Sequence, residues 1–280
     1  MHLPLWRGFR GASGATITGL CRAVFIGEGS DFVEFSFPPH RIAVNVPDRA
    51  TLLAEVEARM RRREGFALAT INLDHLVKLR HDPAFRIIYA AQDLVVADGN
   101  PIVWLSRLAR RPVALVPGSD MVEPLALAAQ RAGVPVALVG TTGAALSAAA
   151  GVLRARVPGL EIAAQIAPPM GFDPQGTDAR RILETLAASG AGLTLIALGA
   201  PKQEAFAALG REVAPQMGFA SIGAGLDFLA GTQARAPGWV RALALEWLWR
   251  MLSSPRRLFM RYLRCGLILP GQMLAAWRLR

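Results

Sequence analysis

Cysteine is nearly missing from this chain: Cys21 and Cys265 are the only two in 280 residues. They stand too far apart for a metal or redox spacing, so neither a disulfide framework nor a structural zinc site has support, and a reducing cytoplasm fits best. The four histidines, His2, His40, His75 and His81, show no ligand spacing either. The longest uncharged stretch, Ala132 to Leu153, is broken by Pro135 and by Gly140-Thr141-Thr142-Gly143. It reads as strand, turn and helix rather than a membrane span. The start has Arg7 and Arg10 before a glycine-rich segment but no continuous apolar core, so no export signal is expected. Internal repeats and low-complexity tracts are absent. The complete G-x-G-x-x-G fingerprint is also missing, although Gly223-Ala224-Gly225-Leu226-Asp227-Phe228 approaches it, which disfavours a dinucleotide enzyme.

What is present is a hydrophobic chain, 52% by composition, with its charge gathered at one end. Residues 235–280 hold nine arginines against one acid, Glu246, and so carry eight of the ten net positive charges. A nucleic-acid-binding protein would spread basic residues over its core as well. Tryptophan and leucine interleave with these arginines, which points to an anionic membrane surface instead. Arg257, Arg261 and Arg264 fall on one helical stripe, and Leu258, Phe259, Tyr262 and Leu263 on another, so two amphipathic helices are expected here.

Residues 1 to 38 show no clear period and are set aside as an extension. From Arg41 the pattern becomes regular. A short strand is expected at Ile42-Ala43-Val44, then a helix from about Ala50 to Arg63 capped by Asp48. Apolar runs follow at Phe66 to Ile71, Leu94 to Ala97, Pro112 to Val116, Val134 to Val139, Glu161 to Ile166, Leu193 to Leu198 and Phe219 to Ile222. Most are separated by helical segments, which predicts an α/β fold with a largely parallel sheet layered with helices. Ligands of such sheets collect beyond the carboxyl ends of the strands.

The candidate residues sit at those ends. Thr70-Ile71-Asn72 closes one run and Asp98-Gly99-Asn100 another. Asp98 followed by glycine fits a plain turn; it also fits a general base, since a positioned carboxylate that accepts a proton from an attacking hydroxyl contributes about 10²- to 10⁴-fold. Gly118, Ser119 and Asp120 precede a helix, where Ser119 or Asp120 caps the first turn or the free amides hold phosphate. In Gly199-Ala200-Pro201-Lys202-Gln203-Glu204, Lys202 is one of only two lysines in the chain. At a strand-to-helix turn it suits a diphosphate, with Gln203 and Glu204 on a sugar or base. Asp227 reads as a second site carboxylate or a cap.

Taken in order, Thr70-x-Asn72, Asp98-Gly99, Gly118-Ser119-Asp120, Gly199 to Glu204, Gly225-x-Asp227-Phe228-x-x-Gly231, Arg235-Ala236-Pro237, Leu245 to Arg250 and Pro255-Arg256-Arg257 resemble the WecG/TagA/CpsF family, glycosyltransferase family 26. The resemblance runs from about Ile42 to Leu263. It implies a Rossmann-like core, here residues 39–231, and a basic amphipathic helical appendage, residues 232–280, that docks on the inner face of the cytoplasmic membrane. It further implies an inverting, metal-independent transferase, and no Asp-x-Asp triplet is present to argue otherwise. Its donor would be a UDP-sugar and its acceptor an undecaprenyl-diphosphate-linked saccharide. Asp98 would be the general base with Thr70 and Asn72 in the same pocket; Gln203 and its neighbours would bind the donor. Arg235, Arg250 and Arg257 would meet the acceptor diphosphate. The chain departs from the family pattern in its long start and in Pro117. A non-catalytic membrane-surface module of the same fold is the competing reading, and the joint presence of Thr70, Asp98 and Gln203 argues against it. Exposed apolar surface on the tail suits lipid or a second copy, which leaves a homo-oligomer open.

Overall fold

The computed structural model describes residues 24–25 and 32–279, with only the backbone at Val24, Phe25, Arg241, Ala242 and Arg257. A small antiparallel sheet comes first: β1 (Val24–Phe25), β2 (Val33–Phe37) and β3 (His40–Val44), with β2 and β3 paired from Val33↔Val44 to Phe37↔His40. Val33, Phe35, Ile42 and Val44 alternate onto the inner face and are buried. The segment before residue 39 therefore includes a core strand, and a boundary after 38 falls inside a hairpin. The remainder of that segment, residues 1–23 and 26–31, lies outside the described residues.

Six further strands form the main sheet: β4 (Phe66–Ile71), β5 (Leu94–Ala97), β6 (Val136–Gly140), β7 (Ile162–Ile166), β8 (Leu193–Ala197) and β9 (Gly218–Ser221). All pair in parallel, in the order β5-β4-β9-β8-β6-β7. Every residue of β4, β5, β6, β8 and β9 is buried, as expected of strands covered on both faces, whereas β7 forms a half-exposed edge.

The covering helices are α1 (Arg49–Arg62), α2 (Leu73–His81), α3 (Pro83–Ala90), α4 (Asn100–Leu108), α5 (Val122–Ala132), α6 (Gly143–Arg156), α7 (Thr177–Ala188), α8 (Lys202–Val213) and α9 (Gly225–Ala230). Asp48 caps α1 through the Thr51 amide, and Arg63 closes it in the left-handed region. Apolar side chains of α1, α5, α6 and α9 share one cluster with the sheet; those of α7 and α8 share a second. A third joins the hairpin, α2, α3, α4 and the C-terminal helix.

Three sequence expectations change. Pro112 to Val116 is not a strand: Pro112 lacks an N–H, and isolated bonds tie the segment down, from Val113 N to Ser106 Oγ, from Ala114 N to Pro47 O and from Val116 N to Ala97 O. Ser119 and Asp120 cap no helix, because they lie in a 3-10 turn, Gly118–Asp120, and α5 begins beyond Met121. The tail forms three helices rather than two: α10 (Gly238–Ala242), α11 (Glu246–Ser253) and α12 (Pro255–Trp277). Ala244, at a φ of 59°, separates the first pair, and Ser254, at φ −149° and ψ 62° before Pro255, separates the second.

The expected stripes of α12 also divide differently. Leu258 and Cys265 are buried and Arg261 pairs with Asp74 of α2, while Phe259 and Leu263 face outward. Among the described residues, no helix is long and apolar enough to cross a membrane.

Candidate active site

Parallel pairing brings the carboxyl ends of β4, β5, β8 and β9 to one edge of the sheet. Ile71 lies in register with Ala97, so Asn72 and Asp98 leave their strands side by side. The Asp98 amide donates to Ile71 O at 2.7 Å, and Asn72 Nδ2 donates to Asp98 Oδ2 at 3.4 Å. Asn72 is also the N-cap of α2, its Oδ1 accepting from the amides of Asp74 and His75. Thr70 is buried one residue before the end of β4. Gly118 lies over it: a Cβ there would stand 3.1 Å from Thr70 Cγ2 and 3.3 Å from Ser221 O, so a side chain would lift the turn off the strand ends.

Asp98 is half-buried. Loss of solvent raises its carboxyl above the ordinary carboxylate range, against the opposing pull of His75 and the Asn72 hydrogen bond; Glu246 adds to the rise and Arg250 to the opposition. The last two come from α11, so the C-terminal helices contribute charge to the strand-tip site.

Gln203 closes the next part of the edge. Its Nε2 donates to Glu204 Oε1 at 2.9 Å and its Oε1 accepts from the Gly223 amide at 3.1 Å, which ties the start of α8 to the loop after β9. Glu204, fully buried, lies with Oε1 3.2 Å from His75 Nε2. Lys202 is exposed, with Nζ donating to Phe172 O at 2.8 Å; Lys78 donates to Ala200 O at 3.0 Å. Both lysines of the chain thus hold loop carbonyls.

Asp227 and Arg235 belong to a neighbouring group. Asp227 Oδ1 accepts from Thr141 Oγ1 at 2.5 Å and from Thr232 Oγ1 at 3.1 Å, and its Oδ2 from Gln233 Nε2 at 3.3 Å. Asp120 forms an ion pair with Arg235, whose guanidinium lies 5.8 Å from the Phe228 ring centroid. Ser119 packs against Gly225, where a Cβ would come 3.2 Å from the Ser119 Cα. Arg250 is half-buried on α11. Arg257 lies in the first turn of α12, and its side chain is outside the described residues.

The structure therefore brings Thr70, Asn72, Asp98 and Gly118 together, with Arg250 near enough to act on Asp98. Ser119, Asp120, Asp227 and Arg235 form an adjoining patch, and Gln203 braces the loops. Lys202 and Glu204 make internal contacts. Sequence reasoning missed His75, Tyr89 and Glu246. For His75 the signal was its place three residues after an Asn N-cap, the position from which a side chain reaches back to the cap. Among the described residues, no group of three His, Cys, Asp or Glu residues could hold a metal ion.

A strand-tip carboxyl of raised proton affinity, within the field of an arginine on the covering helix, can take a proton from a hydroxyl. The match to the family described as glycosyl transferase WecG/TagA/CpsF covers residues 39–280. On that match, extending from the hairpin to the end of the tail, the chain belongs to the WecG/TagA/CpsF family of glycosyltransferases.

Proposed function

We propose that this glycosyltransferase moves N-acetylmannosamine, its uronic acid or glucose from a UDP-sugar onto an undecaprenyl-diphosphate-linked saccharide, in the synthesis of a bacterial surface polysaccharide. The observation that carries the reading is Asp98, a partly desolvated carboxyl at a strand tip, hydrogen-bonded by Asn72 and faced by Arg250. In the proposed step the acceptor hydroxyl gives its proton to Asp98 as its oxygen attacks the anomeric carbon. The bond from that carbon to the UDP oxygen breaks, UDP leaves with the electron pair, and the configuration inverts. The turn at Gly118–Asp120 and the two loops joined by the hydrogen bond from the Gly223 amide to Gln203 would frame the donor. Arg235, Arg250 and Arg257 would offset the diphosphate charge, and no resident metal enters the scheme.

We assign the catalytic core to the segment that ends at residue 231, with β2 included rather than a start at 39, and residues 232–280 to acceptor and membrane contact at the inner face of the cytoplasmic membrane. Support for the latter comes from exposed Trp239, Leu243, Trp247, Leu252, Phe259 and Leu263 on helices rich in arginine. Apolar side chains with adjacent basic residues suit an anionic bilayer surface.

The test is transfer from a panel of radiolabelled UDP-sugars to short-chain polyprenyl-diphosphate saccharides. Labelled lipid from the wild type and none from Asp98→Ala is the expected result. A folded wild type that transfers nothing across the panel would favour a binding module without turnover.

A further inference from the structure

Behind the strand tips lies a chain of polar side chains that the proposed reaction does not use. His75 Nδ1 is 2.8 Å from Asn72 Oδ1, and His75 Nε2 is 3.2 Å from Glu204 Oε1, across a sequence separation of 129 residues. His75 is 4% exposed and Glu204 0%. The imidazole also lies beside a pair of mutually packed aromatic rings, with centroids 6.3 Å from Phe85 and 5.6 Å from Tyr89. Two polar contacts and two ring neighbours leave it a single orientation.

The simplest role for His75 is helix capping, in which an unprotonated Nδ1 would accept from the Asn72 amide, 3.3 Å away, and the Asn72 side chain accepts from the His75 amide; the shorter contact, 2.8 Å to Asn72 Oδ1, instead assigns a proton to Nδ1. A cap needs no partner on α8. Here a carboxyl has been taken fully out of water to meet the far side of the ring, with its Oε2 left without a hydrogen-bond partner among the described residues. Such burial is costly unless the carboxyl is paired, and the partners supplied to its Oε1 are the His75 ring and the Gln203 amide.

What the ring does follows from the Asn72 carboxamide. Its Oδ1 faces the amides of Asp74 and His75 as well as the imidazole, all three on the oxygen side. That leaves one direction for Nδ2, toward Asp98. We propose that His75, anchored by Glu204, is a positioning residue that fixes the Asn72 amide so that it donates to Asp98 and holds that carboxylate ready for the substrate proton.

The proposal rests on the reading of Asp98 as the base. Asp98 is faced by His75 of α2, Tyr89 of α3, and Glu246 and Arg250 of α11; His75 is faced by Asp74 and Glu204. Of these, His75 and the Asn72 hydrogen bond oppose the rise caused by burial. Losing them raises the proton affinity of Asp98.

The experiment follows the Asp98 carboxyl by ¹³C NMR across pH in the full chain, with Asp98→Asn to assign the signal. His75→Leu moves the midpoint to higher pH, by about tenfold in proton affinity. The acid limb of kcat moves with it, while the donor KM changes less than about threefold. His75→Gln, which keeps an N–H donor, recovers part of both shifts. An unmoved midpoint in folded His75→Leu overturns the proposal and leaves His75 as a cap. Wild-type ¹⁵N spectra supply a check that needs no variant: ring nitrogens both shifted by hydrogen bonding are expected, and a ring nitrogen without one overturns the clamp. The NMR midpoint does not depend on turnover, so a wild type inactive toward every donor would defeat the proposed reaction without altering this result.

Discussion

Arg261 of α12 sets its Nε 3.1 Å from Asp74 Oδ1, just beyond Asn72 on α2. Lys78 approaches the other carboxylate oxygen at 2.8 Å. The C-terminal helix is thereby fastened to the helix that the site asparagine caps.

Burial alone would raise the Asp74 carboxyl, but Arg261 and Lys78 outweigh it and hold the group below the ordinary carboxylate range. A lowered folded value means that the pair stabilises fully above the unfolded value and that this is lost as pH falls through the folded one. Asp74→Asn should therefore cost about 1–2 kcal/mol at pH 7, between the usual figures for exposed and buried pairs. In thermal melts the gap to wild type should close in acid. A gap that stays constant with pH would mean that the ion pair contributes nothing.

Asp98 carries the opposite sign. Its raised value means that ionising it in the folded state is unfavourable, a penalty that grows as pH rises from the unfolded value, near ~3.9, through the folded one. Asp98→Asn should melt higher than wild type at pH 7 and equally below pH ~3.9, while transferring no sugar. A lower melting temperature at neutral pH would contradict the assigned burial.

Gly140 ends β6 at a φ of 127°, and a Cβ there would stand 2.3 Å from Ala197 O on the neighbouring strand. Both the backbone and the neighbour forbid a side chain. Gly140→Ala should cost more than about 4 kcal/mol, read as a collapse of the denaturant midpoint or as insoluble product. Gly143, which has open space at its Cβ position, is the control, and Gly143→Ala should fold normally.

The tail's role is best tested without removing it, because Cys265 and Ala276 belong to the cluster shared with the hairpin and α2. Trp239→Ser with Phe259→Ser alters only exposed side chains, 66% and 54% accessible. Cosedimentation with anionic vesicles should fall about tenfold or more, from about 1.5–3 kcal/mol per lost apolar contact, with an unchanged melt. Undiminished binding would remove these residues from the membrane surface.

The strands of the main sheet were legible in the sequence because each is a short apolar run between turn residues, and burial on both faces requires such a run. Pro112 to Val116 has the same composition, but its donors go singly to Ser106, Pro47 and Ala97 instead of along one neighbouring strand. The hairpin strand β2 was missed because Val33 and Phe35 give too short an alternation to stand out. The places of Asp98, Asn72 and Thr70 at the strand ends could be read from the apolar runs, whereas their roles came from the family resemblance. His75 could not, since its meaning depends on Glu204, brought to it by the pairing of strands rather than by spacing. Likewise, Arg261 read as part of an outward stripe until α2 supplied its partner.

The strand order has a consequence for how the chain is made. β9, the last strand of the main sheet to leave the ribosome, pairs in the middle, between β4 and β8. Until it arrives, β4 presents a fully buried-type edge with no neighbour on that side, and the two parts of the sheet cannot join. Folding should thus be slow and largely post-translational, with nascent chains that stop short of Gly218 the ones most in need of chaperones.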